Sequence, residues 1–253
     1  MLNKTRNWLG ALVRVAAVSA TLMATTVHAT PPADLDAYAR HVLEAFETPG
    51  MSIAIVERGQ PTVLRSYGVR RMGQPAQVDE NTLFAIGSTT KAFTSATLAT
   101  LVDEGKLTWD TRVSDVLPGF KLQDAYASSE MTVRDLLVHR SGLGLGAGDL
   151  LFYPPPSDRT RAEIVHSLRY IKPASSFRST FAYSNMMYLV AGEVIKAVGG
   201  ASWEEAVRQR IFAPLQMTST TTSSLLPVGA NRAWPHSRIT TDMRGDGPVV
   251  ALA

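Results

Sequence analysis

A lysine lies three residues after a serine, inside a run of the sequence that carries no other charge. The stretch is AIGSTTKAF, residues 85–93, and between Asn81 and Val102 Lys91 is the sole charged side chain. On a helix, residues three apart share one face, so the Ser88 hydroxyl and the Lys91 amine would lie side by side. A hydroxyl next to an amine is one of the arrangements that turn serine into a nucleophile.

The element predicted to hold this pair is a helix from about Ser88 to Asp103, with Gly105 suited to end it. The unpaired backbone N–H groups of its first turn would be able to bind an oxyanion beside Ser88. The positive end of the helix dipole and burial among apolar residues both favour the neutral amine of Lys91. These effects make Ser88 a candidate nucleophile and Lys91 its candidate base.

A less specific interpretation of this pair remains open on these residues alone. Ser-x-x-Lys arises often by chance, and a lysine stem can lie along an apolar helix while its amine reaches solvent. The sequence FAYSNMMY adds Tyr183, Ser184 and Asn185 directly before an apolar run. A tyrosine phenol can relay a proton, and an asparagine amide can bind a substrate carbonyl and steady a lysine. Taken alone, Tyr-x-Asn is very common, and a turn followed by a helix cap is then the favoured interpretation.

The elements predicted to position these residues are a β-hairpin followed by a block of helices. Apolar spacing predicts a first helix at 34–47, and strands at 51–56 and 61–69 join through Arg58-Gly59-Gln60. The pairs Thr132/Asp135, Thr160/Glu163 and Ser202/Glu205 are typical of helix N-termini. They predict further helices near 132–137, 160–170 and 202–212, and the apolar run predicts one at 186–198 that ends at Gly199-Gly200.

The N-terminal segment has the layout of a secretory signal peptide. Lys4, Arg6 and Arg14 precede a short apolar run, and Val27-His28-Ala29 resembles a cleavage site. We therefore expect a signal peptide at 1–29, a periplasmic or secreted protein, and no stable membrane anchor after cleavage. These three basic residues account for the net charge of +3, so nothing favours a nucleic-acid partner. The absence of cysteine excludes disulfides and thiolate catalysis.

Four segments in order carry a resemblance to a known family. They are LFAIGSTTKAFTSATLATLVDEGKLTWD, MTVRDLLVHRSGLG, FAYSNMMYLVAGEVI and IFAPLQMTST, within residues 34–225. The chain resembles the serine β-lactamase-like family, which includes class C β-lactamases, penicillin-binding D-Ala-D-Ala carboxypeptidases and related esterases. The resemblance implies an α/β (α+β) chain with the β-lactamase/transpeptidase-like fold, an antiparallel sheet and a large helical subdomain.

The resemblance also implies roles for the four candidate site residues. Ser88 would be the acylated nucleophile, Lys91 its base partner, Tyr183 a proton-transfer group and Asn185 a substrate-binding amide. Tyrosine at the first position of Tyr-x-Asn points to the class C and esterase branch. His139, in HRSGL, is expected to pack or hydrogen-bond rather than bind metal, and the resemblance implies no cofactor and no metal.

The sequence departs from the family pattern in two places. SSFRSTFAYSN stands where many members have Pro-Gly-Thr, which leaves the substrate open. No segment after Asn185 fits the third motif, Lys-Thr-Gly or His-x-Gly. We therefore expect residues 30–253 to form an incomplete domain with only the N-terminal strands, the later strands and third motif being absent.

Two hypotheses about function follow from these residues. In the first, the protein is an exported serine hydrolase that forms an acyl-enzyme on a β-lactam, D-alanyl peptide or ester, with a small-molecule or peptidoglycan-derived substrate. In the alternative, the chain is a non-catalytic fragment or a penicillin-recognising domain without turnover. The segment GLGLGA (142–147) formally fits a dinucleotide fingerprint, but it follows a helix rather than a strand, so we interpret it as a loop near the site.

Overall fold

The computed structural model describes residues 31–152, 157–223, 226–227, 229–238 and 247–252. The predicted signal peptide at 1–29 lies outside the described residues, so its assignment stays a prediction. Among the residues that are described, no helix has both the length and the apolar character needed to cross a bilayer.

The first described elements are the predicted helix and hairpin. Helix α1 (Leu35–Ala45) leads into strands β1 (Gly50–Ile55) and β2 (Val63–Gly68). The strands pair antiparallel, with the first residue of β1 opposite the last of β2 and Ile55 opposite Val63. The hairpin predicted from its two apolar runs and central turn is therefore confirmed.

Seven further helices make up the described helical block, and the predicted caps begin three of them. Full capping boxes form at Thr132/Asp135 and Thr160/Glu163, while the Ser202 side chain accepts from the Glu205 N–H. The helices are α2 (Thr90–Asp103), α3 (Val113–Val116), α4 (Ala125–Glu130), α5 (Val133–Leu137), α6 (Arg161–Ser167), α7 (Asn185–Gly199) and α8 (Trp203–Val207). A π-helical turn, Arg208–Phe212, continues α8 to the predicted end.

Helix α7 is the centre of the hydrophobic core. It contacts α2, α5, α6 and α8, and Met186, Met187, Val190 and Ile195 have no solvent-exposed surface. Residue Gly200 follows in the left-handed conformation with φ of 76°, which glycine adopts at little cost, so the helix ends where the sequence predicts. The two helices that carry Ser-x-x-Lys and Tyr-x-Asn, α2 and α7, are thus packed against each other.

The expectation that only the N-terminal strands are present is wrong. Two short strands, β3 (His236–Arg238) and β4 (Val249–Ala251), pair antiparallel near the end of the chain. The segment before β3 is tied to the hairpin region, because the Trp234 N–H donates to the Arg70 carbonyl at 2.8 Å. The strands have three residues each, too few to show an alternating pattern, and so the sequence did not reveal them.

Candidate active site

The serine and the lysine meet as their spacing predicts. A 3₁₀ turn, Gly87–Thr89, precedes α2, and the Lys91 Nζ lies 3.0 Å from the Ser88 Oγ. The first helical hydrogen bond is donated by the Thr89 N–H to the Ile86 carbonyl, so the Ser88 N–H precedes the helical ladder. Lys91 is half-buried rather than buried, and Ser88 is exposed, because this turn lies at the surface of a cavity.

Tyr183 and Asn185 reach the same point from the start of α7. The Tyr183 hydroxyl lies 2.5 Å from the Ser88 Oγ and 2.6 Å from the Lys91 Nζ. The Asn185 Oδ1 accepts a hydrogen bond from the Lys91 Nζ at 2.8 Å. All four residues singled out in the sequence therefore form one hydrogen-bonded cluster, although almost a hundred residues separate the two motifs.

The bonding capacity of Lys91 is fully used in this cluster. An ammonium group has three N–H donors, and its partners are the Ser88 Oγ, the Tyr183 hydroxyl and the Asn185 Oδ1. The Nζ also lies 4.8 Å from the ring centroid of Tyr183 and 5.3 Å from that of Tyr188, a cation–π geometry. These contacts fix the lysine head group at the centre of the site.

The electrostatics of the cluster favour ionisation of Tyr183. The hydrogen bond from Lys91, followed by that from Ser88, lowers the pKa of the phenol below its ordinary value near 10. Desolvation and the Asp149 carboxylate oppose this shift without reversing it. A phenol that gives up its proton more readily is better suited to act as a base near neutral pH.

His139 supports Tyr183 in the packing and hydrogen-bonding role expected for it. Its ring stacks on the Tyr183 ring with centroids 4.5 Å apart, and its Nδ1 accepts a hydrogen bond from the Ser184 N–H at 3.1 Å. Burial, followed by the charge of Lys91, lowers the pKa of His139, which favours the neutral ring that this acceptor role requires.

The sequence did not single out Asp149, which belongs to the cluster. Its Oδ2 accepts a hydrogen bond from the Asn185 Nδ2 at 2.9 Å. The residue ends SGLGLGAGD, which the sequence predicts only as a loop near the site. The available signal was a carboxylate directly after a glycine-rich run, but that pattern is too common to indicate a partner 36 residues away.

An ion pair holds the loop that carries Tyr183 against α5. The Arg178 guanidinium donates to both carboxylate oxygens of Asp135, at 2.9 and 2.6 Å, and to the Glu130 carbonyl at 3.1 Å. Burial raises the pKa of Asp135, but the hydrogen bonds from Arg178 and Thr132 outweigh it, so the net pKa is lowered. Asp135 is also the acidic member of the α5 capping box, so one carboxylate joins the helix to the loop.

We expect Arg178→Met to destabilise the fold by about 2 kcal/mol at pH 7, because it leaves a largely buried carboxylate without its bidentate partner. Since the folded pKa of Asp135 is lowered, this stabilisation is present above the ordinary aspartate pKa near 4 and is lost as the pH falls through the folded value. Urea unfolding at pH 7 and pH 3 measures the difference, which should shrink at pH 3.

The matched control for Arg178→Met is Arg134→Met, because Arg134 lies in α5, the helix that Arg178 contacts through Asp135. Arg134 pairs with Asp110, but both side chains of that pair are mostly exposed, so its loss should change the free energy of unfolding by under about 0.5 kcal/mol. Equal destabilisation by both variants, or a loss at Arg178 that does not depend on pH, would contradict a specific role for the Asp135 pair.

A cavity of about 440 Å³ opens beside the cluster, with Ser88, Lys91 and Asn185 on one wall. The remaining wall is mainly apolar and aromatic, with one arginine whose charge is balanced by Glu204. Its residues include Phe152, Arg161, Tyr188, Leu189, Gly192 and Trp203. The cavity is therefore suited to an uncharged group attached to a carbonyl held at Ser88.

Comparison with known proteins shows the family to which the chain belongs. The sequence profile of the family described as Beta-lactamase matches residues 35–251. The chain belongs to the β-lactamase family. The resemblance seen in the sequence and the β-lactamase/transpeptidase-like fold are thereby confirmed, with helices and small antiparallel sheets in the described part of the chain.

Curated relatives include a fungal and a bacterial protein. The chain is 35% identical over 190 residues to the unguisins hydrolase of Aspergillus campestris, an alignment that covers 72% of this chain and 34% of the relative. It is 33% identical over 174 residues to penicillin-binding protein 4 of Amycolatopsis lactamdurans, covering 69% of this chain and 45% of that protein. The chain thus spans between about a third and a half of the length of these relatives.

A solved structure with a similar fold is the D-amino acid amidase from Ochrobactrum anthropi SV3, complexed with L-phenylalanine amide. The TM-score is 0.67 at 29% identity, and the match covers 85% of this chain and 61% of the amidase. The relatives and the solved structure are thus named for hydrolysis, penicillin binding or amide cleavage.

Proposed function

We propose that the protein is a serine hydrolase that forms an acyl-enzyme at Ser88 on an amide or ester. The observation that carries this proposal is the placement of the Ser88 Oγ within 3.0 Å of both the Lys91 Nζ and the Tyr183 hydroxyl. A serine hydroxyl at hydrogen-bond distance from a phenol of lowered pKa, with a lysine amine hydrogen-bonded to both oxygens, has the geometry that nucleophilic catalysis requires.

In the acylation step, the Ser88 Oγ attacks the substrate carbonyl and a carbon–oxygen bond forms. The Ser88 proton passes to the Lys91–Tyr183 pair, which then gives it to the leaving nitrogen or oxygen as the scissile bond breaks. Tyr183 is the better-placed acceptor, because it lies 2.5 Å from the Ser88 Oγ and its pKa is lowered. Water then cleaves the Ser88 ester and returns a proton to the Ser88 oxygen.

The remaining groups bind the substrate. The Ser88 N–H, at the start of the helix, would supply one donor to the oxyanion, and the Asn185 amide would contact the acyl part. The adjoining cavity, with its aromatic wall, would accept the acyl side chain. Tyr183 in Tyr-x-Asn supports assignment to the class C and esterase branch within the family.

The substrate class is proposed as a β-lactam, a D-alanyl peptide or an ester, all of which pass through the same acylation step. The names of the relatives and of the solved structure cover hydrolysis, amide cleavage and penicillin binding, which supports a carbonyl compound of this class. We further propose an exported protein, on the basis of the sequence of residues 1–29. The N-terminal residue of the mature protein, expected to be Thr30, checks this proposal.

The experiment that tests the function is labelling with a fluorescent penicillin and with a p-nitrophenyl ester, followed by intact-mass measurement and peptide mapping. We expect one covalent adduct on the segment that contains Ser88, sensitive to prior heat denaturation. A stable adduct without product release would favour the alternative of a penicillin-recognising domain without turnover. No adduct with either reagent, or an adduct elsewhere, would overturn the proposed site.

A further inference from the structure

We propose that Asp149 is a positioning residue that fixes the orientation of the Asn185 amide and, through it, the Lys91 amine. This inference rests on the proposed function, because it concerns how the acylation site is held. It is carried by the hydrogen bond between the Asn185 Nδ2 and the Asp149 Oδ2, on the side of the amide opposite Lys91.

The two neighbours of Asn185 leave its amide only one orientation. An ionised aspartate only accepts hydrogen bonds, whereas a lysine ammonium only donates them. The NH₂ group of Asn185 must therefore face Asp149, and its oxygen must face Lys91, as the distances of 2.9 and 2.8 Å show. If the amide turned over, two N–H groups would face each other at Lys91, and two oxygens at Asp149.

The second carboxylate oxygen of Asp149 indicates that this residue does not serve to stabilise the fold. Within the described part of the chain, the Asp149 Oδ1 is closed off from solvent and has no hydrogen-bond partner. A carboxylate oxygen buried in this way costs free energy, so a neutral residue would suit the loop better. Its negative charge is balanced across the Asn185 amide by Lys91.

Backbone hydrogen bonds and close packing of the loop determine the position of Asp149. The Asp149 N–H donates to the Gly146 carbonyl at 3.0 Å, and Asp149 then begins a 3₁₀ turn through Phe152. Gly148 has φ of 87°, and a Cβ there would come within 2.8 Å of the Met186 side chain. The absence of a side chain at Gly148 thus lets the loop backbone pack closely against Met186, the residue that follows Asn185 in α7.

The charge of Asp149 also acts on the proposed base. Tyr183 is faced by Lys91 and Ser88 from α2 and the turn before it, by His139, and by Asp149 from the glycine-rich loop. Of these, Asp149 raises the pKa of the phenol, while Lys91 and Ser88 lower it. Removing the Asp149 charge should therefore lower the pKa of Tyr183, so that acylation begins to rise at a lower pH.

The test compares Asp149→Leu and Asp149→Asn with the wild type by the second-order rate of labelling with fluorescent penicillin or p-nitrophenyl ester between pH 5 and 9. Since the amide loses its fixed orientation, we expect a loss of about a hundredfold for Asp149→Leu and about tenfold for Asp149→Asn. In Asp149→Asn the rising limb of the pH profile should also move to lower pH. Thermal unfolding identifies any variant that does not fold. If Asp149→Leu does not fold, Asp149→Asn, which keeps the side-chain volume, tests the proposal by itself.

Asp158→Asn is the matched control, since Asp158 is exposed and its substitution changes the net charge by the same amount. It should leave the labelling rate and the pH profile unchanged. If the wild type is not labelled, the proposed function fails. If the wild type is labelled but Asp149→Asn matches it in both rate and pH profile, only the role of Asp149 is overturned.

Discussion

Replacing Ser88 by alanine should abolish acylation, with a fall in labelling rate of about 10⁴-fold or more, to the level of the unfolded protein. Within the described part of the chain, the exposed Ser88 Oγ is the hydroxyl hydrogen-bonded to both Lys91 and Tyr183, so we expect no other hydroxyl to replace it. The substitution removes one exposed oxygen and should leave the unfolding temperature almost unchanged. Intact-mass measurement after incubation with a fluorescent penicillin gives the result directly.

The matched control for Ser88 is Thr89→Ala. Thr89 is the next residue in the same 3₁₀ turn and also carries an exposed hydroxyl, but the hydroxyl of this turn that accepts a hydrogen bond from Lys91 is that of Ser88. Labelling of Thr89→Ala should match the wild type. Equal labelling of Ser88→Ala and the wild type would place the nucleophile elsewhere.

Much of the fold could be predicted from local signals. The hairpin at β1 and β2 follows from two apolar runs around a Gly-containing turn, and the boxes at Thr132 and Thr160 locate helix starts to the residue. Such features depend on residues a few positions apart, so a short stretch of sequence is enough to predict them. The β3–β4 pair joins two three-residue segments through non-local contacts and has no comparable local signal.

The surroundings of Lys91 show where a sequence pattern was misleading. The uncharged run from Asn81 to Val102 predicts burial, and Thr97, Leu98 and Leu101 are indeed buried in α2. The first turn of α2 instead borders the cavity, where Ser88 is exposed and Lys91 is half-buried. A lack of charge in the sequence does not distinguish a core from the wall of a cavity, because both exclude unpaired ions.

The candidate site was predictable as far as its motifs extend. Ser-x-x-Lys and Tyr-x-Asn supply four residues, and packing of α2 against α7 brings them together. Asp149 was missed because its relation to Asn185 depends on how a glycine-rich loop lies on α7. That path is set by tertiary packing, such as the approach of Gly148 to Met186, and not by spacing along the chain.

Replacing Lys91 by methionine should keep the fold and reduce acylation by about 10³-fold or more. Methionine has a similar length and is apolar, so it fits a half-buried position on α2 that is followed by apolar residues. The Asn185 Oδ1 and the Tyr183 hydroxyl lose their shared donor, and the largest cause of the lowered Tyr183 pKa is removed. Residual acylation should therefore rise only at higher pH than in the wild type.

Lys106→Met is the control for Lys91, because Lys106 pairs with Glu104 at 2.8 Å just beyond the C-terminal end of α2, whereas Lys91 lies in the first turn of that helix. It should be labelled at the wild-type rate. Thermal unfolding and the labelling rate are measured for both variants, and for Lys91→Ala as a second substitution. If Lys91→Met fails to fold while Lys91→Ala folds and is labelled at the wild-type rate, the lysine serves the structure and not the acylation step.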